Sequence, residues 1–219
     1  TWPTFQRTTA RTGHHPTASG PQTDASVKWA FQTGGWVFSS PAVVDGDVYV
    51  GSRDENVYAL DAATGREQWI FQTQGAVSSS PAVADGTVYV GSRCGNIYAL
   101  DATTGREQWT FRTTHGGVRS SPAVVDSTVY VGSRNYGDGN VHALDAATGR
   151  QQWAFQADDD VQSSPAVVDG AVYVGSHDSH VYAIDATAGT ETWAVETGGE
   201  VWSSPAVSDG TVYVGSHDN

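Results

Sequence analysis

Apolar and polar residues alternate with a period of two along short segments of the chain, and turn-forming residues separate the segments. In one unit, the alternating segments, named strands A to D, cover residues 77–84, 87–92, 96–101 and 108–113. Asp85 and Gly86 separate the first two, and an Asp-Gly pair between alternating segments is a strong hairpin signal. No segment keeps a period of 3.6 over a useful length. The pattern predicts four short antiparallel strands per unit and almost no helix.

The unit recurs along the chain, and three markers share its rhythm. Tryptophans stand 40, 40, 44 and 40 residues apart, at Trp29, Trp69, Trp109, Trp153 and Trp193. Ser-Ser-Pro ends at Pro41, Pro81, Pro122, Pro165 and Pro205, and Val-Tyr-Val-Gly-Ser carries Tyr49, Tyr89, Tyr130, Tyr173 and Tyr213. Four-stranded repeats of about 40–45 residues are typical of β-propellers. The fold class predicted is therefore an all-β propeller of four-stranded antiparallel blades.

The strand count predicts four complete blades and a divided fifth. The complete blades are expected at about residues 36–73, 76–113, 117–157 and 160–197. The divided blade would join a strand D at 28–33 to strands A and B at 203–216, after a lead-in segment over 1–27. Closure within one chain and closure between two copies both remain open. Open blade edges could pair with a second chain, which would give a homodimer.

A longer motif, Ala-x-Asp-x-x-Thr-Gly-x-x-x-Trp, connects strands C and D. It is intact at Ala59–Trp69, Ala99–Trp109 and Ala143–Trp153, and has Ala188 in place of Thr at Ala183–Trp193. These segments resemble the tryptophan-docking motif of the PQQ-like, or quinoprotein-type, propeller repeat, which BamB-like outer-membrane assembly lipoproteins share. The opening segment Trp2–Arg7 also resembles the lead-in of such proteins. The resemblance implies that each tryptophan docks on the next blade, and it indicates fold more strongly than function.

The charge balance narrows the classes of partner. Asp and Glu total 24 against 11 Lys and Arg, a net charge of −13. A field of this sign repels phosphate backbones and anionic membranes, so nucleic acid is excluded as a partner. Lys28 is the only lysine, and an acidic, lysine-poor composition favours a halophilic archaeon as the source. Neutral drift of the composition is the alternative.

Other features of the sequence exclude membrane-spanning helices, disulfides and cysteine-rich metal sites. No run of about 18 apolar residues is present, so no membrane-spanning helix is predicted. Cys94 is the single cysteine, which excludes an intrachain disulfide and a cysteine-rich metal site. The chain contains no methionine, and we expect it to be a processed or excised piece of a longer product.

The repeats act as an internal alignment that separates scaffold from variable positions. The A–B and C–D turns are nearly invariant and share one face, whereas the D–A and B–C loops vary and lie on the opposite face. One variable position begins each innermost strand and is expected to surround the mouth of the central channel; it holds Phe38, Ser78, Arg119, Gln162 and Trp202. The candidate ligand- or partner-binding residues are Trp36, Phe38, Arg53, Arg93, His115, Arg119, Arg134, Tyr136, Gln162, His177 and Trp202.

The sequence supports metal-binding and catalytic motifs less strongly than it supports a binding surface on the variable loops. Asp158, Asp159 and Asp160 could bind Ca²⁺ through oxygen ligands, but a solvated acidic loop is favoured. His177 and His180 have a metal-ligand spacing, yet they align with polar loop residues of the other units. No catalytic triad, phosphate-binding loop or catalytic carboxylate pair can be placed. No catalytic residue and no metal site is therefore predicted.

Three functions fit these observations. The favoured one is a non-catalytic binding or scaffold propeller, extracytoplasmic or at the cell surface, with a protein or small-molecule ligand on its variable loops. The second is a quinoprotein dehydrogenase that uses PQQ and Ca²⁺. The resemblance implies that such enzymes need about eight blades and often a vicinal cysteine pair, and this chain has fewer blades and one cysteine, so no cofactor is expected. The third is the extracytoplasmic sensing domain of a larger protein.

Overall fold

The computed structural model describes residues 26–113, 116–134 and 139–218, and all the regular structure in these ranges is β-strand. No helix in them could cross a membrane. The strands are β1 (Ala42–Val44), β2 (Asp47–Gly51), β3 (Asn56–Asp61), β4 (Glu67–Gln72), β5 (Ala82–Ala84), β6 (Thr87–Gly91), β7 (Asn96–Asp101), β8 (Glu107–Arg112), β9 (Ala123–Val125), β10 (Thr128–Ser133), β11 (Asn140–Asp145), β12 (Gln151–Gln156), β13 (Ala166–Val168), β14 (Ala171–Gly175), β15 (His180–Asp185), β16 (Glu191–Glu196), β17 (Ala206–Ser208) and β18 (Thr211–Tyr213).

Consecutive strands form separate antiparallel sheets. Four sheets have four strands each, β1–β4, β5–β8, β9–β12 and β13–β16, and β17 pairs with β18 alone. The first strands of neighbouring sheets contact one another, β1 with β5, β5 with β9, β9 with β13 and β13 with β17. Four-stranded blades with their first strands around a common axis form a β-propeller. The predicted all-β propeller fold is confirmed, and the sheets of the described residues do not close into a ring.

The first strand of each blade is shorter than its alternation predicts. In the second blade, alternation starts at residue 77, whereas β5 begins at Ala82, directly after Pro81. Proline has no N–H for a strand ladder, and a serine side chain takes over the hydrogen bonding before it. Ser79 Oγ accepts a hydrogen bond from the Gly91 N–H at 3.1 Å. The Ser-Ser-Pro marker therefore replaces part of a strand.

The second serine of each Ser-Ser-Pro connects one blade to the next. The Ser40 N–H donates to Ser80 Oγ at 2.8 Å, and the Ser80 N–H donates to Ser121 Oγ at 2.9 Å. The same bond runs from Ser121 to Ser164 and from Ser164 to Ser204, at 2.9 Å each. These five residues, here called the serine chain, hold the starts of the innermost strands together.

Tryptophan docking joins the blades farther from the axis. Trp69 Nε1 donates to the Ala102 carbonyl of the next blade at 2.9 Å, and Tyr49 Oη donates to the same oxygen at 3.2 Å. The Trp69 ring lies over Gly105, whose φ is +68° and where a Cβ would approach the ring to 2.6 Å. Both the backbone conformation and the lack of space therefore require glycine. Equivalent N–H bonds run from Trp29 to Ala62, Trp109 to Ala146 and Trp153 to Ala186.

The two ends of the array hold the segments of the predicted divided blade. Trp29 docks on Ala62 at 3.0 Å and Phe31 packs edge-on against Tyr58, so residues 28–33 cover the first blade as a strand D would. They form no strand, however, and β17 and β18 pair only with each other. In the described ranges no strand lies between the two segments, and the divided blade stays a prediction. The predicted lead-in over 1–27 lies outside the described residues except for 26–27.

We expect the docked and the exposed tryptophans to contribute very differently to stability. Trp69 and Trp109 are 8% exposed and hydrogen-bonded, whereas Trp36 is 71% and Trp202 45% exposed. Truncating either docked ring to alanine should lower the free energy of unfolding by about 3–5 kcal/mol, as for other large-to-small core changes. Trp36→Ala and Trp202→Ala should cost far less. Chemical denaturation measures all four, and equal losses would contradict the division between them.

One buried position of the third blade departs from the repeat. His142 is 5% exposed and stands where the other complete blades have Tyr58, Tyr98 and Tyr182. Its ring nitrogens lie 3.0 Å from Ser133 Oγ and 3.1 Å from Gln151 Oε1. Burial lowers the pKa of His142, and the hydrogen bond to Gln151 opposes that effect. The folded protein therefore holds this imidazole neutral.

This histidine should make the fold sensitive to mild acid. Because its folded pKa lies below the ordinary value of about 6.5, the unfolded chain binds the proton first, and stability is lost as pH falls below about 6.5. His142→Tyr restores the residue of the other blades and should reduce the loss of melting temperature between about pH 7 and pH 5. His180→Asn, at the start of β15, is the matched control and should leave the slope unchanged. Equal slopes in both variants would show that His142 does not cause the sensitivity.

Candidate functional site

Backbone hydrogen bonds fix the variable loops against one another. The loop that enters each blade accepts a bond from the B–C loop of the same blade. The Arg53 N–H donates to the Trp36 carbonyl at 2.9 Å, and the Arg93 N–H donates to the Ala76 carbonyl at 2.9 Å. The same bond recurs from Arg134 to Gly117, His177 to Asp160 and His217 to Glu200. The variable side chains therefore project from a regular backbone frame.

These side chains surround a cavity of about 310 Å³ at the axis, here called the mouth cavity. Its walls are Phe38, Arg53, Ser78, Arg93, Arg119, Gln162 and Trp202. The structure thus brings together the five residues that the sequence placed around the channel mouth, and adds two arginines from the B–C loops. The volume lies at the lower end of the range of about 300–1,000 Å³ that is usual for small-molecule sites.

Positive charge is concentrated at this mouth. Arg119 is partly buried and donates to Gln162 Oε1 at 3.1 Å. Its pKa is lowered by burial first, and then by the charges of Arg93, Arg134 and Arg53. Among residues 26–113, 116–134 and 139–218, these arginines form one salt bridge, from Arg134 Nε to the Asp160 carboxylate at 2.9 Å. The mouth is therefore electropositive on a protein whose net charge is −13.

Two aromatic side chains flank the mouth at the first blade. Trp36 and Phe38 pack edge to face with their ring centroids 6.1 Å apart, and both are largely exposed. The guanidinium carbon of Arg53 lies 5.4 Å from the Trp36 ring and 5.3 Å from the Phe38 ring. Cation–π attraction at these distances holds the three side chains in place.

A second aromatic group lies at the other end of the array. The Trp202 ring stacks on His177 with a centroid separation of 4.4 Å and on His217 at 5.4 Å. Its N–H donates to the Glu200 carboxylate at 2.6 Å. His217 is not among the residues predicted from the sequence. Its alignment with His177 in the repeat is the signal that could have found it.

The acidic loop and one histidine form a candidate cation site. Ligand atoms of Asp159, Asp160 and His177 lie within 4.8 Å of one another, and His177 Nε2 is buried without a hydrogen-bond partner among the described residues. Asp158 is exposed outside the group, and the His180 ring instead contacts Asp178. The structure therefore joins parts of two motifs that the sequence treated separately. Two carboxylates and an imidazole suit a borderline cation such as Zn²⁺.

The remaining candidates are placed as follows. Arg134 is tied to Asp160 beside the mouth. His115 and Tyr136 lie outside the described residues.

Two larger clefts, of about 400 and 390 Å³, lie between blades on the face of invariant turns. One contains Tyr130 and Asp126, and the other contains the equivalent Tyr49 and Asp45. Because they repeat with the scaffold, they follow from blade packing.

Solved structures with the same fold include BamB and proteins that are alcohol dehydrogenases by name. BamB from Moraxella catarrhalis has 24% identity and a TM-score of 0.70, covering 82% of this chain and 58% of that one. The quinohemoprotein alcohol dehydrogenase from Comamonas testosteroni has 22% identity and a TM-score of 0.81, covering 97% and 45%. A quinohemoprotein alcohol dehydrogenase from Pseudomonas putida HK5 has 22% identity and a TM-score of 0.80, covering 97% and 44%.

These likenesses, at 24% identity or less, concern the fold, and the chain spans about half the length of each of these proteins. No curated protein sequence matches the chain. The family model described as outer membrane protein assembly factor BamB matches residues 21–92, 53–160 and 137–219, which together cover more than half of the chain. On the strength of this match and of the docked tryptophans, the chain belongs to the PQQ-like β-propeller repeat family of the outer membrane protein assembly factor BamB.

Proposed function

We propose that this chain is a non-catalytic binding or scaffold propeller that presents its variable loop face to a protein partner or ligand. One observation carries the proposal. The face that holds the mouth cavity also exposes Trp36, Phe38 and Trp202, at 71%, 61% and 45%. Exposed aromatic side chains next to arginines are enriched at the centres of protein interfaces.

The arrangement of these side chains also supports binding. Trp36 and Phe38 are held by Arg53, and Trp202 is held by two histidines and a carboxylate. Side chains that are already ordered lose little conformational entropy when a partner covers them. The opposite face repeats the same turns in each blade and offers no comparable variety of chemistry.

The alternative is a quinoprotein dehydrogenase, as two of the structural neighbours are by name. Ca²⁺ in such a site would take about six to eight oxygen ligands. The candidate cation site among the described residues offers two carboxylates and an imidazole nitrogen, beside the positive charge of Arg134. This donor set does not fit Ca²⁺, so we assign no catalytic role to any residue. A sensing domain of a larger protein remains a form of the binding function.

We also propose a location and a source, which similarity and composition support. The family name, outer membrane protein assembly factor, supports a place outside the cytoplasm or at the cell surface. The acidic chain with one lysine supports a halophilic archaeal source. A second copy is a candidate partner, because β18 forms the edge of its two-stranded sheet and Tyr213 on it is 58% exposed.

A cofactor test separates binding from dehydrogenase activity. The chain is incubated with PQQ and Ca²⁺ and passed through a gel-filtration column, and the protein peak is examined for quinone absorbance. A binding module should show no alcohol-dependent dye reduction, because the candidate cation site offers two carboxylates and one imidazole nitrogen and does not fit Ca²⁺. Stoichiometric quinone in the peak, with alcohol-dependent dye reduction, would establish the enzyme instead.

A partner test addresses the proposed face directly. Proteins cross-linked to the chain in extracts of its source are identified, purified and titrated against variants. Trp36→Ala and Trp202→Ala should weaken binding by about tenfold or more each, since truncated interface anchors typically cost upwards of 1–2 kcal/mol. Arg66→Ala and Arg106→Ala, exposed on the opposite face, are the controls and should bind as the parent does. If the tryptophan variants and the arginine variants weaken binding of the partner equally, the interface does not lie on the proposed face.

A further inference from the structure

Basic residues are scarce in this protein, and several of them converge on one place. The sequence has 11 Lys and Arg against 24 Asp and Glu. Arg53, Arg93 and Arg119 nevertheless line a single cavity, and Arg134 lies close enough to act on the charge of Arg119. Gathering like charges in a partly buried space costs free energy. The cluster therefore opposes folding, and something other than stability accounts for it.

Acidic side chains of the protein leave most of this charge uncompensated. In the three described ranges, Asp160 pairs with Arg134, and Arg53, Arg93 and Arg119 form no salt bridge. Arg119 bonds to the neutral amide of Gln162, and Arg53 lies over aromatic rings. A guanidinium has five N–H donors in a planar fork. Donors therefore remain available around the cavity for an acceptor from outside.

The scaffold itself does not require arginine at these positions. The position of Arg119 is occupied in the other units by Phe38, Ser78, Gln162 and Trp202. The position of Arg53, Arg93 and Arg134 is occupied by His177 and His217 in the last two units. Each alternative residue is accommodated on the same backbone frame. The arginines are thus a property of the cavity and not of the blade.

We propose that the mouth cavity binds an anion carrying two or more carboxylate or phosphate groups, held by Arg53, Arg93 and Arg119. The inference rests on the proposed binding function and specifies the chemistry of what the variable face takes. Arginine matches both groups in a bidentate geometry, which gives short, charge-assisted hydrogen bonds. One anionic group could pair with Arg93 and a second with Arg119, while Phe38 and Trp202 contact the carbon skeleton.

Size limits the ligand as well. A cavity of about 310 Å³ accommodates a small organic anion, or a few acidic side chains that project from a partner. Both sources offer the same carboxylates. The net charge of −13 repels anions at a distance, so a ligand with one weakly held charge gains too little to bind. Two or more groups at short range overcome that repulsion.

The test uses citrate, pyrophosphate and acetate as probes, titrated by calorimetry at constant ionic strength. Citrate or pyrophosphate should bind saturably and acetate should not. Arg93→Ala and Arg119→Ala should each weaken binding by about tenfold or more, which corresponds to about 1.4 kcal/mol. Arg106→Ala removes an exposed arginine on the opposite face of the blade that carries Arg93, and it should bind as the parent does. Equal weakening by Arg93→Ala and Arg106→Ala, or no saturable binding to any probe, would overturn the proposal.

Thermal melting adds a readout that a structural role would not give. Because Arg93 repels its neighbours, Arg93→Ala without anion should melt at the temperature of the parent or above it. Citrate should raise the melting temperature of the parent and not that of the variant. A destabilised Arg93→Ala that citrate rescues would mean that Arg93 supports the fold and does not hold the anion.

A hexaglutamate peptide distinguishes the two sources of carboxylate. Tighter binding of citrate identifies a free small anion, and tighter binding of the peptide identifies an acidic segment of a partner. In either case Arg93→Ala must bind the preferred probe more weakly than the parent does. If no anion binds but Trp36→Ala and Trp202→Ala still lose the captured partner, the anion inference fails and the proposed function stands. If those tryptophan variants also bind normally, the proposed function fails independently.

Discussion

The architecture depends on the bond between a tryptophan N–H and the alanine carbonyl of the next blade. A four-stranded blade has two faces and cannot bury both by itself, so its stability comes from its neighbours. The indole ring supplies a large apolar surface, and its single N–H fixes where that surface must sit. Tyr49 and Trp69 converge on the same oxygen, which makes one backbone carbonyl the reference point between two blades.

Docking on one side of the blade leaves the other side free to vary. The alanine and glycine that receive the ring belong to the C–D turns, and the serine chain fixes the strands at the axis. The loops of the opposite face share one backbone bond that recurs from blade to blade, and any side chain can accompany it. Arginine, histidine and tryptophan can therefore occupy equivalent positions without a change in the blade. A functional surface arises where the scaffold makes no demand on side chains.

Repetition made much of this predictable from the sequence. The period of two and the spacing of the tryptophans gave the blades, and their internal alignment placed Phe38, Arg119 and Trp202 at one mouth. The start of each first strand was misplaced, because alternation does not reveal that a serine hydroxyl substitutes for the ladder before a proline. The divided blade stays a prediction, because the period of two supplies no strand between residues 28–33 and the pair of β17 and β18. The candidate cation site joins Asp159 and Asp160 of one loop to His177 of another. These loops are separated in the sequence, and only folding brings them together.

The serine chain has a direction, and tryptophan docking has the same one. Each member gives its amide proton to the hydroxyl of the following blade, so donor and acceptor alternate in one rotational sense. The same serine bond therefore joins each pair of neighbouring blades in the described residues. Duplication of a whole unit inserts a blade whose two sides already match its new neighbours. Gain or loss of a fraction of a unit interrupts the serine chain. Growth of such a protein by gene duplication is therefore restricted to whole blades, and the variable loops of each new copy are at once available for change.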